Sequence, residues 1–572
     1  MKQKNGMLFL AASMSILLII LEEINSFSSV MYIAFGGNIL ILLLIGATIL
    51  LPMKNEKYAK IFIQKNLLKL LTIILLIALF VLAKITSGIK TVNIYTLFNL
   101  IKNIFLLALV ITAIRGQGKI SKQAVTNPAQ TLILSFLTVI IIGAYLLKLP
   151  ISSSDHVGLS LLSSLFTATS AVCVTGSTVI NVAEQLSGFG KLILILLIQI
   201  GGLGFMVLSF FGMLALRRKL SLQDKLIVSY MMNEDDMSDL FKGLKVIIIA
   251  TFTIEAISAF FLFFGFMQIE GFGIKALAYA CFHAVSAFCN AGFSLYPNNM
   301  ESFTGNYIIG LVIPCTIILG GISFVVISEM AMRSKRRIKN LFSAQKKALE
   351  PMSLNTYVVL KITAVVLIVS FSGFYLLEHE YAMKDYGLGT QYLASFFQAV
   401  TLRTAGFSSL PFGSFRQPTL FFMVFIMFLG GASGSTAGGI KLNTIAAIIA
   451  SFKSFLKNEQ HAKIRNMVLH IKQIEKAFLI FGFGLSVVCV GVFCLSITER
   501  FYFLPLLFET VSAFATVGLS TGITPELTVY GQLIIIVLMF IGRVGPLTIL
   551  TAVSKPEPES NITYAYSSLA IG

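Results

Sequence analysis

Charge is scarce in this sequence. Asp, Glu, Lys and Arg make up 12% of its 572 residues, while hydrophobic residues make up 56%. Soluble domains carry about a quarter charged residues, so a soluble fold is excluded. Uncharged apolar runs of roughly 18 residues or more recur instead, each a candidate membrane-spanning helix. Catalytic patterns are missing too. There is no HExxH and no buried carboxylate pair at catalytic spacing, which argues against a membrane enzyme. No GxGxxG occurs, so the chain has no soluble nucleotide-binding domain of its own. The six cysteines (Cys173, Cys281, Cys289, Cys315, Cys489 and Cys494) contain no CxxC pair. Most lie in apolar or small-residue runs, and they read as small buried residues rather than as a disulfide or metal framework.

The charge that is present is unevenly placed. The net charge is +18, but the basic residues cluster in short loops between apolar runs. That is the positive-inside pattern of a membrane protein, and nucleic acid is not the expected partner. The start, MKQKNGMLFLAASMSILLIILEEI, resembles a signal peptide. It lacks a clear A-x-A site and further spans follow, so a retained helix is expected. Four apolar runs come first, at about 7–21, 30–52, 67–86 and 92–114. Lys54, Lys57, Lys60 and Lys65 sit between the second and third, and Arg115, Lys119 and Lys122 follow the fourth. An even number of crossings puts Met1 and residue 120 in the cytoplasm. These four helices are expected to be a packing or assembly extension.

One short stretch then occurs four times. It reads FTATSAVCVTG at 166–176, FHAVSAFCNAG at 282–292 and FETVSAFATVG at 508–518, with a copy one residue shorter, FQAVTLRTAG, at 397–406. The closing glycines, Gly176, Gly292, Gly406 and Gly518, are separated by 116, 114 and 112 residues. Near-equal steps mean four copies of one structural unit. Each unit has an outer helix (129–149, 244–267, 355–377 and 473–497) and a short half-apolar segment leading into the signature (158–172, 274–288, 388–401 and 503–514). An inner helix follows (189–216, 306–332, 418–450 with an interruption, and 530–553). The short segments are too short to cross a bilayer, so they should be re-entrant. Such backbone survives at membrane depth only where protein buries it or a water-filled path runs beside it.

The predicted fold is therefore an all-α polytopic membrane protein. It has an N-terminal four-helix extension (1–124) and four helix–re-entrant loop–helix pore repeats (125–218, 219–333, 334–452 and 453–554). A cytoplasmic tail (555–572) closes the chain, giving twelve spans and four re-entrant helices. Loops 217–245, 333–347 and 453–476 hold 6, 7 and 6 Lys/Arg, whereas the signature-bearing segments 148–191, 268–303, 378–416 and 499–526 hold 2, 1, 3 and 1. The signatures should thus dip in from outside, with all four repeats oriented alike around one central pore.

A selective ion path replaces the ion's water shell with oxygens, and backbone carbonyls do so without a fixed charge. Turning successive carbonyls inward demands backbone angles that glycine tolerates best. The candidate filter is therefore Val174–Thr175–Gly176, Asn290–Ala291–Gly292, Thr404–Ala405–Gly406 and Thr516–Val517–Gly518. Each short helix before it would aim its negative end at the cavity, favouring a cation. A lone x-x-G could simply end a helix; four at matching places favour the pore.

These repeats resemble the Trk/Ktr/HKT superfamily of potassium transporters. The copies VTG, RTAGF and ATVGL look most like the membrane subunit of Ktr-type bacterial systems, over about residues 125–572. The resemblance implies K⁺ uptake across a bacterial plasma membrane, down the electrochemical gradient, through a filter made within one chain. K⁺ would be held by filter carbonyls, with Na⁺ a candidate activator. It also implies a homodimer in membrane lipid and a separate cytosolic RCK/KTN-type subunit that carries the nucleotide. In the superfamily, Ser at the first filter position goes with Na⁺ transport in some plant members. Gly176 stands there, so K⁺ is favoured over the alternative, a Na⁺-permeable or Na⁺-coupled transporter of the same fold. A partner protein whose pore is shut is a further rival. The tail is expected at the homodimer interface, and its Asn561–Ile562–Thr563 sequon is not expected to be glycosylated on the cytoplasmic side.

A second unusual stretch, LGGASGSTAGGIKLN at 429–443, interrupts the third inner helix. Glycine weakens helix, so the chain should break here. The resemblance makes it an intramembrane gate comprising Gly430, Gly431, Ala432, Ser433, Gly434, Ser435, Thr436, Gly438, Gly439 and Lys441. A phosphate-binding loop is excluded because Ile440, not Lys, follows Gly439 and no strand precedes it. A plain kink is the simpler alternative. At the matching place the other inner helices read IGGLGF, LGGISF and IGRVGP. Only the last carries a charge, Arg543, which is expensive at membrane depth and normally faces a cavity or partner. Arg543 is expected to bond loop carbonyls near 431–436 and to set a barrier to cations. Lys441 either assists or snorkels from a helix end. Glu509 and Arg403 either pair behind the filter or bond separately to backbone. Glu255 meets a polar neighbour or a cavity, His283 reads as a satisfied helix residue, and Asp155 as a helix cap.

Overall fold

The computed structural model describes residues 128–204, 240–341 and 351–554, with short stretches within 11–102. The expected four-helix extension, most of the loop at 217–245, residues 342–347 of the loop at 333–347, and the tail at 555–572 lie largely or wholly outside the described residues. Within them the chain is helical apart from one small hairpin. The first repeat comprises α1 (Pro128–Lys148), α2 (Leu161–Val172) and α3 (Gly188–Leu203). The second comprises α4 (Leu240–Glu270), α5 (Ile274–Phe288), α6 (Tyr307–Gly321) and α7 (Phe324–Leu341). The third comprises α8 (Leu354–Glu378), α9 (Leu388–Thr401), α10 (Gln417–Phe428) and α11 (Leu442–Leu456). The fourth comprises α12 (Ile471–Thr498), α13 (Phe503–Phe514), α14 (Val529–Val544) and α15 (Pro546–Val553). Between α11 and α12, β1 (Lys463–Ile464) pairs antiparallel with β2 (Met467–Val468).

Among the described residues, Ile247–Glu270, Leu354–Glu378 and Ile471–Thr498 are each long and apolar enough to cross a membrane unaided. Two inner helices expected to be continuous over 306–332 and 530–553 are not. α6 and α7 meet at 106°, and α14 and α15 at 92°. The fourth breaks because Gly545 adopts φ +91° and Pro546 supplies no backbone N–H to the turn before it. In the second, Gly320–Gly321 ends the helix, and the chain restarts after Ser323. Their hydrophobic runs continue through the bends, so the sequence pattern alone shows no corner.

Local signals set the helix starts. Ser160, Ser187, Asn306, Ser353 and Thr528 each accept a bond from the first turn of the helix they precede, satisfying donors that a helix leaves free. Asp155 does not cap a helix. Its carboxylate accepts from Val157 N at 3.0 Å and from the Ser153 hydroxyl, closing a turn ahead of the Ser160 cap. The Ser153 bond holds that carboxyl below its ordinary range.

Packing explains why every signature opens on an aromatic. Phe166 and Phe282 lie in one buried cluster, Phe397 in a second and Phe508 in a third. Each anchors a short, half-apolar helix that no lipid-facing stripe could hold. Glycines then bring the inner helices close. A Cβ on Gly201 would lie 2.1 Å from Val172 O, on Gly320 1.9 Å from Phe288 O, and on Gly542 1.8 Å from Phe514 O. In three repeats the inner helix thus crosses directly beneath the last carbonyls of the short helix.

Candidate functional site

The chain leaves each short helix in the same conformation. Val174, Asn290, Thr404 and Thr516 have φ of 56°, 59°, 66° and 52°, and Gly176, Gly292, Gly406 and Gly518 have φ of 93°, 69°, 74° and 86°. Two left-handed residues flank one that is not, four times over. Left-handed backbone is natural for glycine but costly for β-branched Val and Thr. What holds it is one repeated bond. Thr175 N, Ala291 N, Ala405 N and Val517 N donate to the carbonyls of Ser170, Ser286, Thr401 and Ser512, at 2.8, 2.7, 3.0 and 2.8 Å.

The side chains of those four residues brace the exit of each triplet. Ser170 Oγ accepts from Gly176 N at 3.0 Å, and Ser512 Oγ accepts from Gly518 N at 3.1 Å. Ser286, Thr401 and Ser512 donate to the carbonyls of Phe293, Phe407 and Leu519, at 2.9, 2.6 and 2.6 Å. None of these four side chains stands out when the sequence is read one residue at a time. The available signal was the fifth letter of the signature, which is Ser or Thr in all four copies.

The four triplets close a ring. A Cβ on Gly176 would lie 2.3 Å from Ala291 O, on Gly292 2.6 Å from Ala405 O, on Gly406 2.5 Å from Val517 O, and on Gly518 1.9 Å from Thr175 O. Each glycine therefore abuts the carbonyl just before the next repeat's glycine, and the fourth returns to the first. All twelve candidate filter residues belong to this ring. The hydroxyls of Thr175, Thr404 and Thr516 are buried with no protein partner.

The segment 429–441 lies against the ring. It is pinned at its neck by Gly430 N to Ile440 O at 2.9 Å and Leu442 N to Gly431 O at 3.1 Å. Its body leans on the second repeat. Ala432 N donates to Gly321 O at 3.2 Å, Phe324 N donates to Gly434 O at 3.2 Å, and Thr436 Oγ1 reaches Gly320 O at 3.0 Å and Phe288 O at 3.3 Å. Gly434 and Gly439 take φ of 73° and 66°, which turn the chain. A Cβ on Gly438 would lie 2.1 Å from Thr516 Oγ1, so the segment sits directly beside the ring. Ser435 Oγ bonds Ala432 O at 2.8 Å, and Ser433 is half-buried.

Arg543 enters this region from the end of α14. One arm of its guanidinium donates to Thr436 O, and the other to Gly201 O, with Gly202 O at 3.3 Å. Lys441 turns back onto Ala437 O and does not extend away from the loop. The planar fork of arginine is what lets one side chain join the segment to the first inner helix.

Other expectations separate here. Arg403 and Glu509 do not pair. Arg403 Nη2 bonds Thr363 Oγ1 at 3.3 Å, whereas Glu509 accepts from Ser520 Oγ, Thr521 N at 3.1 Å and Thr524 Oγ1 at 2.8 Å. A ring of donors from its own repeat meets the carboxylate before any distant cation can. Glu255 accepts from Gln199 Nε2 at 3.0 Å. His283 is buried, with Nδ1 against Tyr279 O at 2.7 Å and Nε2 accepting from Leu295 N at 3.3 Å.

The comparisons agree with this architecture. The TrkH family, described as "Cation transport protein", matches residues 100–564. The Ktr system potassium uptake protein B of Bacillus subtilis is 40% identical over 448 residues, covering 78% of this chain and 97% of that protein. The potassium/sodium uptake protein NtpJ of Enterococcus hirae is 34% identical over 456 residues, covering 78% and 97%. The crystal structure of the potassium transporter TrkH from Vibrio parahaemolyticus shares the fold, with a TM-score of 0.62, 16% identity, and coverage of 86% of this chain and 97% of that one. With four helical repeats closing a ring and a family match over most of its length, this is a cation transporter and not an enzyme. The chain belongs to the TrkH family of cation transport proteins.

Proposed function

We propose that this chain takes K⁺ into the cell through the ring of four glycine triplets. The observation that carries the proposal is the cyclic contact of each glycine with the neighbouring repeat's carbonyl, closing after four steps. Four backbone carbonyls at one level can replace water around a cation and still release it. The triplets 174–176, 290–292, 404–406 and 516–518 form the filter. The loop 429–443 is the gate beneath it, latched by Arg543 through Thr436 O, with Lys441 adding positive charge. The relatives' names support K⁺ as cargo: the Bacillus protein is a potassium uptake protein of a Ktr system.

The same likeness supports the wider assembly. A cytosolic RCK/KTN-type subunit would bind the nucleotide and regulate the gate. The chain would form a homodimer in a bacterial plasma membrane, with both termini cytoplasmic. Cations would move down their electrochemical gradient, with Na⁺ as an activator. A Na⁺-permeable transporter is the second reading, favoured by the similarity to a potassium/sodium uptake protein.

Radiotracer rubidium uptake into KCl-loaded proteoliposomes, with and without the cytosolic subunit, tests the proposal. Uptake blocked by external K⁺ but not by Na⁺, with the discrimination weakened in Gly406→Ser, is the expected result. Equal block by both ions would establish the Na⁺-permeable reading. Absence of uptake with the partner present would overturn transport through this ring.

A further inference from the structure

The outer side of the ring is not four-fold. The carbonyls of Gly292 and Gly406 share one donor, Asn299 Nδ2, at 3.3 and 3.4 Å. Among the described residues no side chain donates to the carbonyls of Gly176 or Gly518. A small cavity of about 80 Å³ opens on this face, lined by Gly176, Gly292, Asn181, Ser294, Tyr296 and Asn299 among others. The amide thus stands where a cation arriving from this side meets the filter.

Its position is built. Asn299 takes φ of 54°, a left-handed conformation that Asn tolerates better than most residues. Ser294 Oγ donates to Asn299 O at 3.3 Å and lies 3.2 Å from Nε2 of the buried His283. On the far side Met300 N donates to Ser408 O at 2.9 Å, and Thr304 Oγ1 to Ser409 O. The loop carrying Asn299 is therefore fastened to the second short helix and to the exit strand of the third triplet. Asn299 Oδ1 is buried without a protein partner.

We propose that Asn299 sets the cation affinity of the outer mouth: its amide competes with an entering monovalent cation for two of the four glycine carbonyls. This rests on the filter reading above. An ion reaching the outermost position must displace the amide before all four oxygens are available. Both bonds are long and weak, so displacement is easy but not free. The outer site is consequently a low-affinity one, and the half formed by Gly176 and Gly518 receives the ion first.

The test is concentration-dependent rubidium uptake by the full chain in proteoliposomes. Asn299→Gly removes the amide and keeps the left-handed backbone. KM for rubidium should fall roughly 3- to 10-fold, the factor expected when one or two weak hydrogen bonds need not be broken. Asn299→Asp also tolerates the backbone, deletes the donor and adds a carboxylate. It should lower KM and introduce block by external Ba²⁺, and it carries the test if the glycine variant fails to fold by size-exclusion chromatography. An unchanged or raised KM, or no Ba²⁺ block in the aspartate variant, would overturn the inference. Gly406→Ser separates the two levels. If it weakens K⁺ over Na⁺ while the Asn299 variants leave KM unchanged, only the role of Asn299 fails. If it leaves discrimination intact, the filter reading fails and takes this inference with it.

Discussion

Gly518 and Gly522 are both left-handed, at φ +86° and +101°, yet their surroundings differ. A Cβ on Gly518 would lie 1.9 Å from Thr175 O, while one on Gly522 would meet nothing within 4 Å. Alanine at either position carries backbone strain of about 1–3 kcal/mol. Only at 518 must something else move. Real Cβ contacts essentially never fall below 3.0 Å, so the Thr175 carbonyl has to retreat by roughly 1 Å. That exceeds the ~0.5 Å within which a preorganised site must be held. Gly518→Ala should therefore cost at least about tenfold in discrimination of K⁺ over Na⁺, which corresponds to about 1.4 kcal/mol. Gly522→Ala should lose comparable stability from strain and keep its discrimination. Thermal unfolding in detergent reads the first quantity, and competition of rubidium uptake by K⁺ and Na⁺ reads the second. If both variants kept discrimination, or both lost it equally, the ring contact would not be what sets selectivity.

Arg543→Ala removes the fork that joins Thr436 O to Gly201 O; uptake without the cytosolic subunit should rise severalfold, and Arg543→Lys should restore the latch only in part because an ammonium lacks the fork. Unchanged flux and regulation in Arg543→Ala would rule out its role at the gate. Ser512→Ala strands the N–H of Gly518 and the carbonyl of Leu519; a stability loss of about 1–3 kcal/mol is expected, read by thermal unfolding, with weaker discrimination in the uptake assay. Glu378 is buried and accepts from Arg416 N at 3.1 Å, Ala382 N at 3.3 Å and the Thr419 hydroxyl. Glu378→Ala should destabilise by about 1–3 kcal/mol, while Glu380→Ala, two residues away with its side chain 75% exposed, should stay within about 0.5 kcal/mol.

The repeat, its short helices and the glycines that close the ring were legible because their physics is local. Only glycine allows a carbonyl at 1.9–2.6 Å from where a Cβ would stand, so that contact leaves its letter in every copy. The left-handed residue two places earlier was not legible. It is Val174, Asn290, Thr404 or Thr516, and two of those residue types argue against a positive φ. It is imposed by a bond from the next residue's N–H to a Ser or Thr carbonyl, which no propensity reports. The corners at 322–323 and 545 were hidden inside continuous apolar runs. Whether Arg403 and Glu509 pair or bond separately stays open in the sequence, because each needs a partner and residue order does not choose it. Which donor reaches a buried carboxylate first is a matter of three-dimensional distance, and Ser520, Thr521 and Thr524 were nearer.

The third repeat departs from the others in two ways. Its signature is one residue shorter, and its inner-helix glycine does not seat beneath its own short helix. A Cβ on Gly430 would instead meet Gly438 O at 2.0 Å, a carbonyl of the same loop. The inner helix of this repeat is thereby released from the short helix and its chain is free to cross to its neighbours. It meets the fourth repeat at Thr516 and Arg543, the second at Phe288, Gly320 and Gly321, and, through Arg543, the first at Gly201. A segment held by every repeat responds to a shift in any of them. The most direct lever is α7, whose first N–H, on Phe324, holds Gly434 O and whose later turns carry Arg333, Lys335, Arg336 and Arg337. A partner that grips this basic helix would pull on Gly434 without touching the ring. Regulation of flux and choice of ion would then be separable: substitutions in α7 should alter the rate of uptake while leaving the order of ion preference unchanged.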